Sequence, residues 1–147
     1  MLRIKDIIDK KGRQVIHITP QSELFDAVKT LADNKIGSLL VVTPEGKIAG
    51  IITERDIFHE VYRRKGDLSG VKVADIMTAD VVVGSLEDDL DYAMYMMTKK
   101  KFRHMPIADQ GELVGMISIG DIIGAMMSQR EYENRMLKDY IYGPVKD

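Results

Sequence analysis

The sequence predicts an α/β fold of the α+β kind: two tandem copies of one small β-α-β-β-α unit, packed with pseudo-twofold symmetry, plus a C-terminal helix. Three observations predict it. The chain repeats itself at a shift of 66 residues that drops to 65 after one turn. The apolar pattern alternates between strand-like and helix-like periods in the same order in both copies. A motif running from glycine through a hydroxyl residue to aspartate appears once per copy, at Gly50–Asp56 and Gly115–Asp121.

The repeat is read by setting the stretch from Leu24 above the stretch from Leu90. Leu24 falls on Leu90, Ala27 on Ala93 and Lys35 on Lys101. Across the turns TPEG and ADQG the second copy is one residue shorter, and a turn is where such a change costs least. Beyond it Gly50 falls on Gly115, Ile52 on Ile117, Thr53 on Ser118, Asp56 on Asp121 and Ile57 on Ile122.

Val15 to Thr19 alternates apolar and polar residues, which predicts a half-buried strand ended by Pro20. Ser22 is a candidate cap for a helix whose apolar face is Leu24, Ala27, Val28 and Leu31. Ser38 to Val42 reads as a short buried strand, Pro44-Glu-Gly as a hairpin turn, and Ile48 to Ile52 as the partner strand. A second helix after Thr53 is expected to bury Ile57 and Val61. The second copy gives a strand at Val81-Val-Val and a helix with Leu90, Ala93, Met94 and Met97. Strands at Met105–Ala108 and Leu113–Ile117 follow, then a helix from Asp121. The sequence units are therefore 1–66 and 71–128, with a helical tail over 129–147. One unit of this size buries too little apolar surface to stand alone comfortably, so the copies are expected to pair and leave two clefts.

Composition narrows the function. A net charge of -2 argues against a nucleic-acid-binding role, which needs a basic excess to release counterions. The absence of cysteine excludes disulfides, thiol catalysis and thiolate metal sites. The first residues, MLRIKDIIDKKG, mix acids and bases without an apolar core, so no secretory signal is expected and the cytoplasm is the default compartment. No apolar run suggests a membrane span. His17, His59 and His104 lie far apart without acidic helpers, so no metal site is expected, and His17 reads as an outward strand residue. No nucleophile–base pair, Walker loop or dinucleotide fingerprint is present, which predicts a non-enzyme.

The doubled motif admits two readings. Thr or Ser, two residues, then Asp before an apolar run is the pattern of a capping box. A hydroxyl and a carboxylate at a helix start can also hold a ribose diol. With its glycine and preceding strand, the motif resembles that of a tandem pair of CBS (cystathionine beta-synthase) domains, over about residues 1 to 127. The resemblance implies that Thr53 and Asp56 hold the ribose of an adenine nucleotide in one cleft, and Ser118 and Asp121 in the other. It implies that Gln14, Ile16, Ile36 and Gly37 join the Ser118 cleft, and that Thr78, Asp80, Val82 and Phe102 join the Thr53 cleft. Met116, on the strand leading to Ser118, belongs to the same implied set.

Lys99 to His104 is the most basic stretch, and Lys99, Lys100 and Lys101 read as a solvated helix end. Arg103 and His104 enter a strand, where the resemblance implies phosphate contacts. Arg55 is a candidate cation for the first cleft; the second has Gly120 there, which leaves space instead. Methionines 94, 96, 97, 126 and 127 read as core filling, with Met94, Met96 and Met97 covering more than one helix face. The resemblance implies a homodimer formed through these helices. The tail carries an apolar side of Tyr132, Met136 and Tyr140, and is similar to that of stand-alone CBS pairs, some associated with NADH or AMP. The expected function is regulatory: AMP, ADP, ATP or NAD(H) bound between the repeats changes a dimer that a protein partner reads. The alternatives are nucleic-acid binding through the lysines or a purely structural dimerising module.

Overall fold

Leu24, Ala27 and Leu31 recur at helical spacing and all three are buried, so the first repeat begins where its apolar stripe demands a helix. The computed structural model describes residues 1–143 and gives twelve elements among them. In order these are α1 (Ile4–Lys11), β1 (His17–Ile18), α2 (Leu24–Asn34), β2 (Ser38–Val42), β3 (Ile48–Thr53) and α3 (Glu54–Arg63). Then come α4 (Val73–Ile76), β4 (Gly84–Ser85), α5 (Leu90–Lys100), β5 (His104–Asp109), β6 (Glu112–Ser118) and α6 (Ile119–Tyr142). The expected tail helix is the continuation of α6; residues 144–147 of the tail lie outside the described residues.

The chain divides into two compact units. The first-repeat unit runs from Gln14 to Val82; the second-repeat unit combines residues 1–13 with the chain from Val83 onward. Each holds one three-stranded sheet, β1-β2-β3 or β4-β5-β6, with a parallel first pair and an antiparallel second pair. The bulges coincide as well, between Val41 and Val42 and between the aligned Ile107 and Ala108.

Each unit is closed by the helix that precedes the other repeat. In the first-repeat unit the N–H of Leu24 donates to Val71 at 2.8 Å and that of Val73 to Ser22 at 2.9 Å. In the second-repeat unit Leu90 donates to Leu2 at 3.2 Å and Ile4 to Asp88 at 2.9 Å, the same pair of bonds. Glycines permit the close approach. A Cβ on Gly50 would stand 2.6 Å from the Thr78 carbonyl oxygen, and one on Gly115 would stand 2.6 Å from Ile8 Cδ1. The cores follow: Ile18, Leu31, Leu39, Ile52, Ile57 and Val73 in one unit, and Ile4, Ile8, Met97, Met105, Ile117 and Ile122 in the other.

Four expectations need correction. The parallel strand of the second copy is Gly84–Ser85, because the partners of Ile107 and Ala108 are these residues and Val81–Val83 stay outside the ladder. The first strand pairs only at His17–Ile18. The N-cap position of α2 is Glu23, without a side-chain cap bond, while the Ser22 hydroxyl bonds that of Thr19 at 2.7 Å. Val61 is exposed; α3 instead buries Glu60, whose carboxylate accepts from Arg63 and from Arg64 Nε at 2.7 Å. These guanidinium bonds hold the Glu60 carboxyl below its ordinary pKa.

Candidate functional site

In each unit the antiparallel strand runs directly into a helix, and the motif occupies that turn. Lys35 and Lys101 end α2 and α5 in the left-handed region, at φ 54° and 58°. The N–H groups of Ile36 and Phe102 then bond back to Leu31 and Met97 at 3.2 and 3.1 Å. This sends the chain into the strands beside the motifs. Gly37 accepts the Glu54 N–H at 3.0 Å, and Arg103 accepts that of Ile119 at 2.9 Å. Ser38 is paired with Thr53, and His104 with Ser118.

Both motifs form complete capping boxes. The Thr53 N–H donates to Asp56 Oδ2 at 2.9 Å and the Asp56 N–H to Thr53 Oγ1 at 3.2 Å. The Thr53 hydroxyl also donates to Asp56 Oδ2 at 3.0 Å. The Ser118 N–H donates to Asp121 Oδ2 at 2.8 Å, and the Asp121 N–H to Ser118 Oγ at 3.0 Å. The capping reading therefore accounts for all four side chains locally. All four nevertheless remain partly exposed. Among the described residues every bond to either carboxylate falls on Oδ2, so Oδ1 keeps its acceptor capacity for a hydroxyl donor.

Around the first turn, Ile51 exchanges backbone bonds with Thr78, both at 2.9 Å, which fixes Thr78 two residues before Thr53 on the strand edge. Glu54 adds a second carboxylate: its Oε1 lies 3.1 Å from where a Cβ on Gly37 would stand. Arg55 is exposed. Ile36 packs on the core of this unit. Gln14 and Ile16 are exposed ahead of β1, Asp80 is exposed and Val82 half-buried beyond Thr78; no bond joins these four to the motif in the described residues.

The second turn is built differently. Lys11, in the last turn of α1, donates to Asp121 Oδ2 at 2.7 Å and to the Met116 carbonyl at 2.9 Å. Partial burial raises the Asp121 pKa, but the Lys11 ammonium and the Ser118 bonds outweigh it and hold the carboxyl below its ordinary value. Arg103 and Gly120 are exposed and Phe102 and His104 half-buried. Lys99 and Lys100 close α5, with the Lys99 ammonium at 3.1 Å from the Tyr95 hydroxyl and over its ring, the solvated helix end that was expected.

Sequence reasoning missed Lys11 and Glu54. A signal for the two closing helices was present: RIKDII before the first repeat parallels KVADIM before the second, with Asp6 and Asp75 each bonded to the N-cap N–H of its helix. Among the described residues no group of acids and histidines is placed to hold a metal, and no helix is long and apolar enough to cross a membrane.

The family profile described as CBS domain matches residues 4–63 and 73–128. The chain is 32% identical to CBS domain-containing protein CBSX3, mitochondrial, of Arabidopsis thaliana, over 95% of this chain and 72% of that protein. It is similar to the crystal structure of the CBS-domain containing protein ATU1752 of Agrobacterium tumefaciens, with 37% identity and a TM-score of 0.80 over 85% of this chain and 99% of that one. It shares the fold of Arabidopsis CBSX2, solved in complex with AMP, at 21% identity and a TM-score of 0.73, over 88% of this chain and 99% of that one. The family profile matches the chain as two repeats, and the chain belongs to the CBS-domain family.

Proposed function

We propose that the chain is a non-catalytic regulatory module that binds an adenine nucleotide (AMP, ADP, ATP or NAD(H)) in clefts between repeats 1–66 and 71–128. One observation carries the reading. Two equivalent strand-to-helix turns each present a partly exposed carboxylate with one oxygen left for a ligand hydroxyl. In this reading Thr53 and Asp56 hold one ribose, with Thr78, Asp80, Val82 and Phe102 around the adenine and Arg55 near the phosphate. Ser118 and Asp121 hold the other, with Met116, Gln14, Ile16, Ile36 and Gly37; Arg103 and His104 supply cations and Gly120 leaves room. The AMP bound by the distant relative CBSX2 supports the ligand class.

Occupancy would be passed on through a homodimer to a protein partner. The exposed Phe58 and Tyr62 on α3, and Tyr92 and Tyr95 on α5, favour a second copy as their cover, and α6 exposes Tyr132, Met136 and Tyr140 as well. The cytosol is the proposed setting; the relative CBSX3 is named as mitochondrial, and either compartment holds the ligands. A purely dimerising module is the second reading, favoured by the completeness of the capping boxes.

Isothermal titration with AMP, ATP and NADH separates the two. The wild type should bind at least one of them, and Asp56→Ala and Asp121→Ala should each weaken one site tenfold or more, about 1.4 kcal/mol. If all three proteins bind none of the ligands, the dimerising module stands instead; if all three bind them equally, the ribose assignment of Asp56 and Asp121 falls.

A further inference from the structure

The two turns carry the same cap but opposite electrostatic company. At the first, Glu54 and Asp56 put two carboxylates on one helical turn, with exposed Arg55 between them. At the second, Ile119 stands in place of the glutamate and Lys11 is bonded to the aspartate itself. An ammonium has three N–H donors. Two of those on Lys11 are taken, by Asp121 Oδ2 and the Met116 carbonyl, both acceptors on the segment that carries the motif. One donor remains, on a side chain that is 46% exposed. The cation is thus already fixed in place, and a ligand oxygen reaching it would not have to order a long flexible side chain.

We propose that Lys11 is the specificity-determining residue of the Ser118–Asp121 turn, making it select 5′-phosphorylated adenine nucleosides over uncharged ones. This rests on the ribose reading of Asp121 given above. The Lys11 ammonium offsets the Asp121 carboxylate, although Asp6 and Asp9 line the same cavity beside Lys10, and its spare donor gives a phosphate oxygen a charge-assisted hydrogen bond. The first turn, with its two carboxylates, offers no such fixed cation among the described residues and discriminates less.

Ile51 and Met116 are aligned residues, each on the strand two positions before its motif hydroxyl and so on the same strand face as it. Methyl NMR on protein labelled at isoleucine and methionine therefore reads the two turns separately, in titrations with AMP and with adenosine. In the wild type the Met116 signal should respond to AMP at a concentration at least tenfold lower than to adenosine. In Lys11→Met and Lys11→Gln that ratio should collapse to about twofold while the adenosine response stays in place, and Lys11→Arg should restore most of it. The Ile51 response should be the same in all four proteins. An unchanged AMP-to-adenosine ratio at Met116 in both neutral variants overturns the role of Lys11 and leaves the ribose reading standing. Absence of any response to either ligand at both methyls in the wild type overturns the ribose reading, and the selectivity with it.

Discussion

The two units answer the same backbone problem in the same way and differ in what closes them. Both accept a preceding helix through a matched pair of backbone bonds, and both turn from the last strand of the sheet into the next helix through a capping box. In the second-repeat unit that preceding helix, α1, is eight residues long and ends with a lysine on the aspartate of the motif. In the first-repeat unit α4 has four residues, and the chain leaves it to pair with the strand edge at Ile51–Thr78. Duplication preserved the hydrogen-bond frame, while the segment leading into each repeat set the charge at the turn.

The glycines break this comparison most visibly. At Gly50 an added methyl would meet a backbone carbonyl that is itself held by the Ile51–Thr78 bonds, so nothing nearby can yield cheaply. At Gly115 the obstacle is the end of the Ile8 side chain, which can rotate. We expect Gly50→Ala to destabilise by about 2–3 kcal/mol and Gly115→Ala by about 1 kcal/mol. Thermal unfolding of both variants checks the order; equal losses would mean that the α1 contact is as rigid as the paired edge.

The caps should instead behave alike. Thr53→Ala and Ser118→Ala each remove one hydroxyl acceptor for an N–H in the first turn of a helix, and each should cost about 1 kcal/mol in denaturant unfolding. A loss confined to one of them would show that the turns differ in more than charge.

A smaller effect separates the units at low pH. The folded-state pKa of Asp121 lies below its unfolded value, so its contribution to stability is complete above the unfolded pKa, about 4. That contribution is lost as pH falls through the lowered folded value. Lys11→Met removes the ammonium and should move the acid unfolding midpoint, followed by circular dichroism, to higher pH. An unmoved midpoint would mean that Lys11 does not stabilise the ionised form of Asp121.

Much of this was legible in the residues. The hairpins β2–β3 and β5–β6 and the helices α2 and α5 announce themselves because their apolar period is imposed by burial on one side of a regular element. The short parallel strands are hard to locate for the opposite reason: with two paired residues each, their alternation is too brief, and the apolar run Val81–Val83 lies just ahead of the paired Gly84–Ser85. Ser22 was assigned the cap because local pattern favours it, whereas α2 is entered from a bridge between Glu23 and Lys72, which no local window contains. The motif was legible as a motif, including its capping geometry. Lys11 was not, because its partner lies 110 residues away and only the exchange of closing helices brings the two together.

The central claim is that the carboxylates of these turns, with one oxygen kept by the helix, give the other to a ribose. A crystal structure grown with AMP tests it directly. The account predicts a nucleotide whose ribose hydroxyls lie within hydrogen-bond distance of Asp56 or Asp121 while the capping bonds of Thr53 and Ser118 persist. AMP bound elsewhere with both turns untouched, or no AMP at a concentration that saturates the protein in solution, would contradict it.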